Sequence, residues 1–141
     1  ATQPNTREKA SFLQENIMPI QESGHLSFVE RGKSPFNNFE ILFVDGHTDA
    51  QMIPHIRYKD KIIVFAADLL PSIGHIPLPY IMGYDVRPLL SLNEKEKFLN
   101  HCFENNIFLL FEHDSNVEAA SLLKTEKGIR IDKKLKLSEL I

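Results

Sequence analysis

At 141 residues, 43% of them hydrophobic and 25% charged, the chain has the composition of one globular domain or a large piece of one, which excludes a disordered or fibrous class. Its formal net charge of -3 gives no basis for binding nucleic acid, whose phosphates require clustered Lys and Arg; the one basic run, Lys133, Lys134 and Lys136, reads as a solvated face. Cys102 is the only cysteine, so an internal disulfide and a C-x-x-C motif are excluded, and no stretch reaches the roughly 18 apolar residues of a membrane span.

A lone cysteine favours a reducing, cytoplasmic setting. The chain opens on Ala1 and enters a predicted helix almost at once, from which we expect a cut made inside a longer protein. Asn5 to Glu8 reads as a capping box. The helix it opens carries Ala10, Leu13 and Ile17 on one face and is expected to close at Pro19. Short β-type runs follow: Leu26 to Glu30, Phe39 to Val44, Met52 to Tyr58 and Ile62 to Ala66, with polar or Gly-containing turns between them. Four such runs in succession predict an antiparallel meander. Pro54 lies inside the third, which predicts an edge or bulged strand, because proline has no ladder donor.

Leu69 to Pro88 is a Pro-rich apolar loop with no assignable element. Ser91 to Glu94 reads as a second capping box, opening a helix striped by Phe98, Leu99, Cys102 and Phe103. Ile107 to Phe111 is a continuous apolar run, as in a strand buried on both faces. The tail predicts a hairpin, Val117 to Thr125 and Ile129 to Asp132 about Lys127-Gly128, then a short terminal helix.

Three apolar strands end in side chains able to bind a metal: Phe43-Val44-Asp45-Gly46-His47-Thr48, Val64-Phe65-Ala66-Ala67-Asp68 and Leu110-Phe111-Glu112-His113-Asp114. Placing an imidazole or carboxylate beside such strands is costly unless a metal or hydrogen-bond partner compensates. Taken singly, each has a plainer reading. A histidine after a strand is usually a surface or capping residue, an Asp there usually caps a turn, and Asp-Gly is a common turn signal.

Taken in order, the set resembles the metallo-β-lactamase superfamily, which carries a His in a Gly-His-Thr turn after a strand, an Asp about one hairpin later, and a final His after a buried strand. Gly46-His47-Thr48, Asp68 and His113 follow that order, and the resemblance covers Phe39 to Asp114. It implies an α/β fold, the C-terminal half of an αββα sandwich with a mostly antiparallel sheet and flanking helices, with residues 1 to 141 forming part of a single domain. It also implies that His47 completes a first metal site, Asp68 bridges two metals and His113 completes the second. The implied cofactor is a pair of divalent ions, zinc or else iron or manganese, and the implied chemistry is hydrolysis by a metal-bridged hydroxide.

Two departures qualify the resemblance. The family's turn continues Gly-His-Thr-Pro-Gly-His, whereas here Asp49-Ala50-Gln51 follows, which alters the surroundings of the ligand rather than the ligand. The family's main signature, His-x-His-x-Asp-His, normally upstream of the Gly-His-Thr turn, appears nowhere in these residues. We therefore expect a piece that is inactive alone and an intact parent that hydrolyses a small-molecule substrate of ester or lactone type. The alternatives are a non-catalytic interaction module that keeps the scaffold, or a member of the nuclease and phosphodiesterase branch. Without its partner sheet the meander would leave an apolar face, from which we expect a homo-oligomer or association with the missing N-terminal half.

Further candidates are weaker. Tyr84 lies in a loop that runs near the substrate in lactonase-like relatives and is assigned a catalytic role as donor to an oxyanion, beside Asp68. His55 reads as a surface strand residue rather than a substrate contact, His75 is a minor candidate for lining a pocket after Asp68, and His25 and His101 read as structural. Asp114 reads as an orienter of His113 or a cap.

Overall fold

A computed structural model describes residues 3–141. They form two compact units, one ending at Glu30 and the other running Arg31–Ile141.

In the first unit the Asn5 to Glu8 box forms reciprocally: Glu8 N–H donates to Asn5 Oδ1 at 3.1 Å and Asn5 N–H donates to Glu8 Oε2 at 3.0 Å. The expected helix does not run on from it. Turns fill the next residues, and helix α1 is Gln14–Glu22, with Pro19 inside rather than at its end. Pro19 removes the bond to the Glu15 carbonyl, and a helix with no buried residue leaves that carbonyl to water. The Leu26 to Glu30 strand is absent, with Phe28 fully open to solvent. Its alternating pattern has no neighbouring strand to satisfy its backbone, and an isolated strand is not stable.

The second unit carries a sheet of six strands among the described residues, ordered as in the chain: β1 Phe39–Val44, β2 Gln51–Tyr58, β3 Lys61–Phe65, β4 Phe108–Leu110, β5 Ala119–Thr125 and β6 Gly128–Leu135. All neighbours are antiparallel except β3 and β4, which run parallel because helix α2, Pro88–Glu104, makes the crossover between them. This is the expected α/β arrangement.

β2 lies between β1 and β3, so Pro54 is not on an edge strand. Arg57 N–H donates to Asn38 O at 2.9 Å, and alternation along the ladder then turns the Pro54 nitrogen toward β3. The β2–β3 register ends at His55 with Val64, so Pro54 sits one residue past the last pair, where no donor is needed.

Helix α2 begins three residues before its expected cap. Pro88 takes the first helical position, for which its fixed φ suits it, and the Ser91 to Glu94 box does not form. Phe98, Leu99 and Cys102 pack onto Val44, Ile53, Val64, Leu109 and Ala120, giving one face of the sheet a deep core. Burying a side chain such as Phe98 contributes about 1.5 to 3 kcal/mol. The opposite face has a smaller cluster around Ile63, Ala119 and Leu140, and leaves Met52 and Tyr58 exposed. His55, expected at the surface, is instead buried on the α2 face, edge-on to Phe98. The expected terminal helix is a single 3₁₀ turn, Leu137–Glu139. No helix among the described residues is long and apolar enough to cross a membrane.

Candidate metal centre

β1, β3 and β4 end at the same edge of the sheet, and the segments that follow them carry His47, Asp68 and His113 to one place. His47 Nε2 lies 3.4 Å from Asp68 Oδ2, and His113 Nε2 lies 3.2 Å from Asp68 Oδ1. The three residues singled out in the sequence therefore meet around one carboxylate.

His47 is the more firmly built of the two imidazoles. Glu94, in α2, accepts from Asp45 N–H at 2.8 Å with one oxygen and from Gly46 N–H at 2.9 Å with the other. Gly46 packs so tightly on Ser91 that a Cβ there would overlap it, which is why glycine stands before the ligand. The loop before α2 closes the other side: Val86 N–H donates to His47 O, and Arg87 bonds Gly46 O, Asp45 O and the Asp49 carboxylate. Asp45 Oδ1 accepts from Ala50 N–H, which is the main reason its carboxyl titrates below the usual range, with Arg31 adding to the effect.

The ring itself is held by Asp85, a buried carboxylate 2.9 Å from His47 Nδ1. An acceptor there fixes the proton on Nδ1 and leaves the Nε2 lone pair directed toward Asp68, the tautomer a metal ligand requires. Asp68 sits in a 3₁₀ turn, Ala67–Leu69, entered through Ala67 at φ 43°, a left-handed conformation that non-glycine residues seldom adopt.

His113 is set by its backbone, whose N–H donates to Pro71 O at 3.0 Å. Asp114 proves to be a cap of loops. Its carboxylate accepts from Ile73, Asn116 and Val117 amides. Burial alone would raise its pKa, but those donors and Lys134 hold it below the ordinary value. Glu112, not anticipated, has Oε1 4.0 Å from His113 Nε2, and donor atoms of Asp68, Glu112 and His113 all lie within 4.8 Å of one another.

Two more residues were invisible in the sequence. Asp85 is buried, whereas its neighbour Tyr84 is 77% exposed. Lys95 is fully buried, and its ammonium donates to the carbonyls of Pro77, Leu78 and Tyr80. It thereby pins the loop that leads to Asp85. Burial pushes its pKa down to about 8, with the Asp85 charge opposing. His75 bonds Ser72 Oγ at 2.9 Å; its burial and the Lys95 charge lower its pKa.

The donor set suits a divalent metal, since two imidazole nitrogens flank both oxygens of one carboxylate and no cationic side chain is paired with it among the described ion pairs.

No family model matches the chain, and no curated protein does. Solved structures do. A probable metal-dependent hydrolase from Staphylococcus aureus superposes with a TM-score of 0.80 at 25% identity, over 94% of this chain and 46% of that one. A hydrolase of the β-lactamase superfamily, AbOPH, gives 0.77 at 18% identity, over 94% and 48%. AidC, a dizinc quorum-quenching lactonase solved with its product N-hexanoyl-L-homoserine, gives 0.70 at 18%, over 94% and 48%. The chain has the fold of the metallo-β-lactamase superfamily, and its extent fits a C-terminal portion. It spans about half the length of these structures.

Proposed function

We propose that the chain is the C-terminal part of a single metallo-β-lactamase-type domain, whose intact form is a metal-dependent hydrolase acting on a small-molecule ester or lactone-like substrate. The observation that carries this reading is the Asp68 carboxylate, flanked on its two oxygens by His47 and His113. A carboxylate so placed suits a bridge between two divalent ions, with zinc, iron or manganese compatible with the donors. The rest of the ligand set would come from the N-terminal half, which would also cover the apolar sheet face opposite α2. When bound, such ions polarise a scissile carbonyl and lower the pKa of water.

The chain's own residues orient and hold. Asp85 keeps the proton on His47 Nδ1, Glu94 and Arg87 fix the turn that carries His47, and Asp114 ties the His113 segment to the Ile73 loop. Tyr84, exposed and adjacent to Asp85, would donate its hydroxyl to the oxyanion of a bound substrate. Superposition on metal-dependent hydrolases, a lactonase among them, supports the class.

The test is metal analysis of the full-length protein together with hydrolysis of a panel of lactones, aryl esters and phosphodiesters. About two divalent ions per chain and turnover of lactones or esters are expected, both lost in Asp68→Asn. Absence of metal after supplementation would defeat the reading, and cleavage of phosphodiesters alone would move it to the nuclease branch. The 141 residues alone should hold little metal and show no turnover, because three ligands do not hold two ions tightly.

A further inference from the structure

Helix α2 meets the His47 turn with its first two turns. Ser91 seats Gly46, and the Glu94 carboxylate takes the Asp45 and Gly46 amides. Lys95, the next residue, serves a different segment, the loop that leads to Asp85. Pro77 and Pro79 have no N–H, so that segment holds more backbone acceptors than donors. The ammonium has three N–H bonds and gives one to each of the Pro77, Leu78 and Tyr80 carbonyls, at 2.8, 3.1 and 2.7 Å. Stability alone does not call for a charge here. Lys95 is fully buried and forms no ion pair among the described residues, and burying an ammonium costs desolvation that an apolar side chain would not. What the ammonium secures is the placing of the loop. Beyond Tyr80 the loop runs out to solvent at Gly83 and Tyr84, then returns through Asp85 N–H to Met82 O, Asp85 Oδ1 to His47 Nδ1 and Val86 N–H to His47 O. Asp85 is thus held against His47 on one side and anchored by Lys95 on the other.

We propose that Lys95 is a positioning residue for His47, acting through the three loop carbonyls on Asp85. Two consecutive residues of one helix then fix the imidazole: Glu94 sets its backbone, and Lys95 sets the carboxylate that orients its ring. Every group in this chain of contacts lies within Arg31–Ile141, so the device is complete in the second unit. It rests on the hydrolase reading only for its effect on metal, which outer partners of a ligand tune without touching the ion.

The test follows the His47 Nδ1–H proton by NMR in the full-length protein labelled with ¹⁵N-histidine, first after chelation and then with zinc added. Lys95→Met is compared with Ile107→Ala, a core truncation at the start of β4, the opposite end of the sheet from the site. Urea unfolding of both variants separates lost stability from lost positioning. In the wild type and in Ile107→Ala the proton should exchange slowly; in Lys95→Met it should exchange at least about tenfold faster, because Asp85 no longer stays in place as its acceptor. Zinc affinity should fall about 3- to 10-fold in Lys95→Met and stay near wild type in Ile107→Ala. Should Lys95→Met fail to fold, Lys95→Gln, uncharged and with two donors, is measured in its place. A proton as slow in the Lys95 variant as in the wild type overturns the proposal, as does equal acceleration in Ile107→Ala, which would make Lys95 a stabilising residue only. A wild type that takes up no zinc defeats the hydrolase reading, while the exchange rates still decide this one.

Discussion

His47 and His113 approach different oxygens of the same carboxylate, but the chain invests in them unequally. The His47 side chain is 14% exposed, its ring proton is fixed by Asp85, and its turn is bonded to α2 and to the loop before it. The His113 side chain is 55% exposed, and the hydrogen bonds around it fix backbone rather than ring. One ligand is pre-organised within these residues; the other is oriented chiefly by the carboxylate and by whatever binds there. Supports of His47 should therefore govern metal affinity, and supports of His113 should govern stability.

Asp68→Asn removes the charge that both imidazoles flank and should erase the contrast altogether, lowering metal affinity of the full-length protein by more than about 100-fold in a chelator competition. Asp85→Asn offers either an acceptor or a donor to His47 Nδ1 and no longer enforces the tautomer, so a loss of about 10- to 100-fold is expected by the same measurement. Asp114→Asn is the control on the other side. It should move metal affinity little and cost about 1 to 3 kcal/mol in urea unfolding, because three amides lose a charged acceptor. Equal affinity losses in Asp85→Asn and Asp114→Asn would abolish the distinction.

A fourth, smaller effect concerns Lys95. Its folded pKa of about 8 lies below the ordinary 10.5, so the unfolded chain binds more protons between those values. Its contribution to stability then rises as pH climbs from 8 to 10.5, with a slope of at most about 1.4 kcal/mol per pH unit. Lys95→Met should remove that slope from a series of urea midpoints.

The strands of the second unit were legible because long apolar runs bounded by turns survive in their tertiary setting: Phe39 to Val44, Met52 to Tyr58 and the Ile107 to Phe111 run are all found within a residue or two of the expected bounds. Leu26 to Glu30 failed although its alternation was as good, since a strand exists only with a partner and local pattern says nothing of one. The Ser91 to Glu94 box failed because Pro88 offered an earlier start, and that freed Glu94 to hold the turn before His47. Asp85 and Lys95 were illegible for a further reason. Their partners lie 38 and 15 to 18 residues away, and only the folded chain brings them together. The ligands themselves could be read only as an ordered set.

Ala67, immediately before the shared carboxylate, holds a backbone shape that a side chain with a Cβ resists at roughly 1 to 2 kcal/mol. A designer seeking heat tolerance would put glycine there and relax the kink. The same freedom would let Asp68 wander, so this position marks where durability and aim are in competition within the molecule.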